Sequence, residues 1–434
     1  MMKIGFVIED RGLSNIDFSN VECGNPGVGG TVFEEIILAN KLSQDNCFDV
    51  YLFVTNSSNT YINRANVQVV KKLIDIPKLA EKAGIDILVF CTGKSNAWYN
   101  EIEKYKIRYV AWAHGFLNYY ELKKLRRSSK VKRVVFVGKN MYYSYLADDI
   151  IKKSSYIFNM YNPSFSPLRT EYSNDVCYLG ALNRYKGFHV LAKAWPLVLK
   201  KVPDAKLYVI GRGDLYNRNS KLGKYRIAEN SYEKKFIKYL LGSNGKIHES
   251  VIFKGNLGEE KKNLISKMSV GIVNPTAITE TFCISAIEVN ACGVPVCTRG
   301  AYGLLDTVID KKTGLFSNNH IELANNIVLL LTNKKMNDGM SVSCIENAKR
   351  FTPDRIVVKW KKLFSDVNIN KGINTEEIDK KYAALPKRVL FNLRIKKGMS
   401  ALPSFIKYEY FFKNMGRVYF RDLIYHMMKR GDWI

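Results

Sequence analysis

Glu280 and Glu288 stand eight positions apart in the run Glu280-Thr281-Phe282-Cys283-Ile284-Ser285-Ala286-Ile287-Glu288. A spaced pair of carboxylates is weak evidence by itself, and exposed surface groups are its ordinary reading. Its surroundings are more specific. An apolar run, Val270–Val273, comes before it, followed by Asn274-Pro275-Thr276. Cys292-Gly293-Val294-Pro295-Val296 and later Thr313-Gly314-Leu315-Phe316 come after it. This order predicts Glu280 in a loop leaving a strand, and Glu288 about two turns into the next helix. In an open parallel sheet such loops lie at the carboxyl ends of the strands, where ligands bind.

A second group is suited to holding phosphate. Cys177–Leu179 reads as a strand, Gly180-Ala181-Leu182-Asn183-Arg184-Tyr185-Lys186-Gly187 as a basic loop before a helix, and Leu207–Ile210 as a strand ending in Gly211-Arg212-Gly213. Free backbone N–H groups together with Lys or Arg make an anion cradle. This loop holds no Gly-Lys-Ser/Thr, so it is no Walker loop, and no G-x-G-x-x-G follows the first strand, so there is no dinucleotide fingerprint. Near the N-terminus, Pro26-Gly27-Val28-Gly29-Gly30-Thr31 opens a helix predicted over Val32–Leu42. Glycines there let a ligand approach the positive end of the helix dipole. A plain strand-to-helix turn is the competing reading. His114, in Trp112-Ala113-His114-Gly115, follows the strand Tyr109–Ala113, again at a carboxyl end.

Positioning these groups requires a regular frame. Short continuous apolar runs recur at Ile4–Ile8, Val50–Val54, Ile85–Cys91, Tyr109–Trp112 and Val134–Val137. They recur again at Val176–Leu179, Leu207–Ile210, Val251–Phe253, Val270–Val273 and Pro295–Cys297. Continuous runs suit parallel strands buried on both faces, and helical spacing separates them. The chain thus predicts an α/β protein of two doubly wound, Rossmann-like domains, 1–165 and 166–351. Ile356, Val357, Trp360, Leu363 and Phe364 predict an amphipathic helix, 352–370, crossing back to the first domain. The remaining 371–434 is a basic, aromatic-rich extension with fourteen Lys and Arg against six Asp and Glu.

Taken together, these residues resemble the retaining glycosyltransferases of family 4, of GT-B fold, such as those that build bacterial capsule, lipopolysaccharide and O-antigen. The resemblance implies two domains facing each other across a cleft and transfer from a nucleotide-diphosphate sugar with retention. It implies that Glu288 binds the ribose hydroxyls, that Glu280 holds the donor sugar and that Lys186 neutralises the diphosphate. The N–H groups of Phe282, Cys283 and Ile284 would share that work, with Gly29, Gly30 and Thr31 facing the donor across the cleft. Gly211 falls among the donor-binding positions, and His114 would touch donor sugar or acceptor. The sequence departs from the family pattern in two places. Ala181 stands where an Arg is usual, with Arg184 as the alternative cation, and Cys283 stands where Gly is favoured.

The net charge of +27 calls for an anionic partner. A nucleic-acid-binding protein is the rival class, although no RRM, KH, zinc-finger or recognition-helix signature supports it. A GT-B phosphorylase or nucleotide-sugar epimerase is a further alternative. Eight scattered cysteines without a C-x-x-C pair fit reduced thiols in the cytoplasm. No run nears the ~18 apolar residues of a spanning helix. No Asp-x-Asp or His/Asp cluster suggests a metal, so no cofactor is expected beyond the nucleotide-sugar substrate. Seven basic residues in Lys123–Arg133, and the tail with Lys387, Arg388, Phe411 and Phe412, suit an anionic membrane surface. The expectation is a cytoplasmic enzyme, peripheral on the inner face of the membrane, extending a saccharide or lipid-linked saccharide for a surface polysaccharide.

Overall fold

All ten apolar runs form strands, and three further strands complete two sheets that are parallel throughout. The computed structural model describes residues 1–146, 148–161, 169, 171–213, 221–258, 260–278 and 280–373. The basic extension beyond residue 373, with Lys387, Phe411 and Phe412, lies outside the described residues. In the first sheet the strands are β1 (Met2–Val7), β2 (Phe48–Val54), β3 (Asn66–Val69), β4 (Ile87–Cys91), β5 (Arg108–Ala113), β6 (Val131–Phe136) and β7 (Ser154–Tyr156). Their order is β3-β2-β1-β4-β5-β6-β7. The second sheet has β8 (Asp175–Leu179), β9 (Lys206–Ile210), β10 (Val251–Gly255), β11 (Val270–Ile272), β12 (Val296–Thr298) and β13 (Gly314–Phe316), in the order β10-β9-β8-β11-β12-β13.

Burial explains which strands are legible. Every residue of β4 is buried, and so is every residue of β11 and β12, so these must be apolar throughout or nearly so. The three strands without an apolar run, β3, β7 and β13, are all sheet edges. An edge strand has one neighbour and little to bury; three of the four residues of β3 are exposed. In each sheet the order reverses between the first strand and the fourth, β1/β4 and β8/β11. Those two switch points open crevices at the carboxyl ends.

The chain crosses between the sheets twice. The first crossing runs from Tyr156 to Asp175, and the second is the helix Pro353–Asn368. Thr352 adopts the extended conformation before this helix, and Pro353 occupies its first turn, where a missing N–H costs nothing. The apolar stripe Ile356, Val357, Trp360, Leu363, Phe364 and Val367 is buried against the first domain. Trp360 meets Trp112 of β5 edge-on with ring centres 4.6 Å apart, and Phe364 meets Phe48 of β2. The Lys361–Asp45 ion pair fixes the register of the helix. Where the crossings meet, Phe158, Phe282 and Phe351 form a triangle with centres 5.3 to 5.7 Å apart. There the Tyr161 N–H donates to the Phe351 carbonyl.

Trp360 is fully buried, and among the described residues its indole N–H has no acceptor. Trp360→Ala should cost about 3–5 kcal/mol in chemical denaturation, the usual range for emptying a large aromatic site. Trp360→Phe should cost far less, because it keeps most of the ring contact and removes an unpaired donor.

Candidate active site

Loop chemistry shapes the basic loop after β8. The Asn183 side chain accepts the N–H groups of both Tyr185 and Lys186 at 3.0 Å, which bends the loop back on itself. The Tyr178 hydroxyl donates to the Lys186 carbonyl, so the strand holds the loop it feeds. Gly187 ends the loop with φ +70°, and a Cβ there would lie 2.6 Å from Thr276 Cγ2. Both conformation and space require glycine at this position. Thr276 in turn donates to the Tyr185 carbonyl, tying this loop to the one after β11.

That second loop carries Glu280, which is 6% exposed. Its Oε2 accepts from Lys186 Nζ at 2.7 Å and from Asn274 Nδ2 at 2.7 Å. Asn274 and Ala277 hold positive φ of +32° and +55°, backbone strain of the kind that clusters at binding sites. Lys186 and Glu280, 94 residues apart in sequence, thus form one ion pair at the β8/β11 switch point.

The helix Ile284–Ala291 starts directly after Cys283, which occupies the N-cap position without a capping side chain. Glu288 is the fifth residue of this helix, closer to its start than the two turns expected from the sequence. Its carboxylate pairs with Lys261 at 3.0 Å. Lys261 was not foreseen, because nothing in its local run Glu260-Lys261-Lys262 signals a partner 27 residues away. Burial, with Glu280 nearby, pushes the Cys283 thiol well above its ordinary range, so it is a filler and not a nucleophile. The Phe282 ring packs into the interdomain triangle, leaving only its backbone toward the cleft.

Two further expected residues lie on the loops after β8 and β9. Arg184 is exposed and lines a cavity of about 170 Å³ with Tyr232, Ser231, Glu229 and Lys235. Gly211, at φ +141°, is needed for packing, since a Cβ would lie 2.0 Å from the Gly180 carbonyl oxygen.

Across the cleft, Gly29 is the N-cap of the helix Gly30–Ser43, again without a capping side chain. Gly29 and Gly30 are exposed, and a Cβ on Gly30 would lie 3.7 Å from Ile284 Cδ1 of the facing helix. Two helix starts therefore face one another, with Thr31 in the first turn of one of them. His114 is also at this boundary: its carbonyl accepts from Thr281 Oγ1 at 2.6 Å. Its ring leans on Trp112, and Nε2 is shut away without a partner among the described residues. Burial lowers its pKa to about 3, so the imidazole is neutral at physiological pH. That state suits a contact residue and not a cationic one.

Beneath the glycine loop lie two buried carboxyls that the sequence pattern hides among apolar neighbours, Glu34 and Glu35. Burial raises both pKa values. That of Glu35, which accepts from the Cys91 thiol, rises to about 8. Glu34 accepts the Met160 N–H at the first interdomain crossing. With a pKa of about 8, Glu35 is held protonated at neutral pH and does not cancel the positive end of its own helix.

Residues 163–351 match the family described as Glycosyl transferases group 1. D-inositol 3-phosphate glycosyltransferase of Corynebacterium glutamicum (strain R) is 25% identical over 213 residues, 48% of this chain and 47% of that protein. The chain thus spans about half the length of the curated relatives it matches. Among solved structures, sucrose-phosphate synthase of Thermosynechococcus elongatus superposes with a TM-score of 0.65 at 16% identity, covering 85% of this chain and all of that one. Anabaena Alr3699/HepE in complex with UDP gives 0.64 at 16% identity, covering 84% and 100%. The same Anabaena protein in complex with UDP-glucose gives 0.63. The fold is GT-B, two Rossmann-like domains around a cleft.

Glu35 supplies a pH test. Its folded pKa lies above the unfolded 4.5, so its contribution is complete below about pH 4.5 and is lost as pH rises toward about 8. Glu35→Gln should flatten that fall in Tm between about pH 4.5 and 8, as read by thermal melts across the range.

Proposed function

We propose that this chain is a glycosyltransferase that moves a sugar from a nucleotide-diphosphate donor to a saccharide acceptor, with retention of anomeric configuration and without a metal. The observation that carries the reading is the Lys186–Glu280 pair at the β8/β11 switch point, set against two uncapped helix starts. Departure of a nucleoside diphosphate places negative charge between those helix starts. The Lys186 ammonium and the N–H groups of Gly30, Thr31 and Ile284 would receive it. Glu280, fixed by Lys186 and Asn274, accepts hydrogen bonds from the hydroxyls of the transferred sugar. Glu288, fixed by Lys261, does the same for the ribose. His114, neutral, offers the first domain's contact to sugar or acceptor.

With Glu280 engaged by two donors, a front-side route fits the site best. The acceptor hydroxyl attacks on the face the diphosphate leaves, and its proton passes to a leaving phosphate oxygen. Proton NMR of fresh product should show the donor's anomeric configuration; an inverted product would overturn this route. Stabilisation by UDP-, GDP- or ADP-sugars in a thermal-shift series identifies the nucleotide.

The division of roles gives a kinetic prediction. Lys186→Ala should lower kcat by about 10²–10³, since it meets charge that grows in the transition state. Glu288→Ala should mainly raise the donor KM, because the ribose does not change during reaction. Steady-state kinetics at saturating donor separates the two.

The acceptor side carries a membrane reading. Lys123, Lys124, Arg126 and Arg127 lie on the helix Tyr119–Arg127, whose Leu122 and Leu125 are buried beneath. Tyr120 on this helix is 49% exposed. A basic helix close to the His114 loop suits a lipid-linked acceptor presented at an anionic inner membrane face, as in surface polysaccharide assembly. Among the described residues no helix is long and apolar enough to cross a membrane. Lys123→Glu with Arg127→Glu should weaken sedimentation with anionic liposomes at low salt and leave donor binding unchanged.

A further inference from the structure

We propose that Asp306 is an interdomain positioning residue. Its carboxylate, carried by the second domain, caps a helix of the first domain and sets the width of the cleft. The inference rests on the reading of that cleft as the place of transfer.

The helix Lys139–Tyr143 begins after Gly138, whose position would ordinarily hold a capping side chain and here has none. The cap comes instead from the other domain. The Asn140 N–H donates to Asp306 Oδ2 at 3.1 Å, and Asp306 is 1% exposed. A Cβ on Gly138 would lie 2.5 Å from that same oxygen and 3.2 Å from the Thr281 carbonyl oxygen. Gly138 has φ −160°, an extended conformation open to any residue. Close approach of the second domain, and not backbone conformation, therefore accounts for the glycine.

Asp306 is joined to the donor loop. The Gly303 N–H donates to the Glu280 carbonyl at 3.0 Å, and the Asp306 N–H to the Gly303 carbonyl at 3.1 Å. A Cβ on Gly303 would lie 2.3 Å from the Thr281 carbonyl oxygen, so the two segments are pressed together. Glu280, Thr281, Gly303 and Asp306 thus form one unit with two polar holds on the first domain. One is Asp306 to Asn140; the other is Thr281 Oγ1 to the His114 carbonyl at 2.6 Å. The Phe158–Phe282–Phe351 triangle supplies adhesion but little direction. Charge-assisted and hydroxyl hydrogen bonds supply direction, and so fix how far Glu280 stands from the His114 loop. Opening the cleft returns the carboxylate to water, so the hold is reversible in the way a turnover cycle needs.

The test measures domain separation directly. Spin labels at Val67→Cys and Val342→Cys, both exposed, in a Cys23→Ser/Cys47→Ser background report one distance per domain arrangement. Asp306→Ala should lengthen and broaden the distance distribution, and Gly138→Ala should do the same from the opposite side of the contact. The double variant should add nothing beyond either single change. Transfer should fall about tenfold in kcat, while UDP affinity, read by calorimetry, stays within twofold. Should Asp306→Ala fail to fold, Asp306→Asn and Gly138→Ala read the same distance. Unchanged distributions in the folded variants overturn the proposal, as does a shift in Asp306→Ala with none in Gly138→Ala. Because the distances need no activity, an absence of transfer in the parent protein overturns the glycosyltransferase reading and not the latch.

Discussion

In a parallel sheet every loop that leaves a strand's carboxyl end emerges on the same edge, and the rest of this structure depends on that constraint. Lys186 follows β8, Glu280 follows β11 and His114 follows β5, so three residues far apart in sequence reach two facing edges. What the sheets cannot supply is the facing itself. That comes from a few contacts: the phenylalanine triangle, the returning helix and the polar holds made by Thr281 and Asp306.

Electrostatically the cleft is built from backbone as much as from side chains. Two helix starts with no capping side chain, one at Gly29 and one at Cys283, contribute their N–H groups from opposite walls. Two cations of the candidate site are each held by an anion: Lys186 by Glu280, and Lys261 by Glu288. Preorganisation of this kind keeps charge in place without leaving it unpaired. Beneath the glycine loop, burial raises the pKa of both Glu34 and Glu35 and so favours their uncharged form.

The fold was legible wherever burial forced a pattern. Strands covered on both faces had to be apolar runs, whereas β3, an edge strand with three of its four residues exposed, had no such obligation. The site was legible where chemistry and strand order coincide, as for Glu280 and Lys186. It was not legible where contacts join separate segments: Lys261 with Glu288, Asn274 with Glu280, Asp306 with Asn140. Asp306, in the last of these pairs, shows why. Its partner is an N–H group, which no side-chain pattern encodes. Arg184, in the same loop as Lys186, lines a cavity with Glu229, Ser231, Tyr232 and Lys235, none of which its local sequence points to.

The return of the Pro353–Asn368 helix to the first domain has a consequence for how the chain is made. Trp112 of β5 packs against Trp360, nearly 250 residues later in the sequence. During synthesis the first sheet therefore emerges from the ribosome with part of its apolar surface bare. It stays bare until the whole second domain and the helix behind it have followed. At about 5–20 residues per second that interval lasts on the order of ten seconds or more, long enough for chaperones to engage the exposed face. The first domain is thus the first to be translated and the last to be finished.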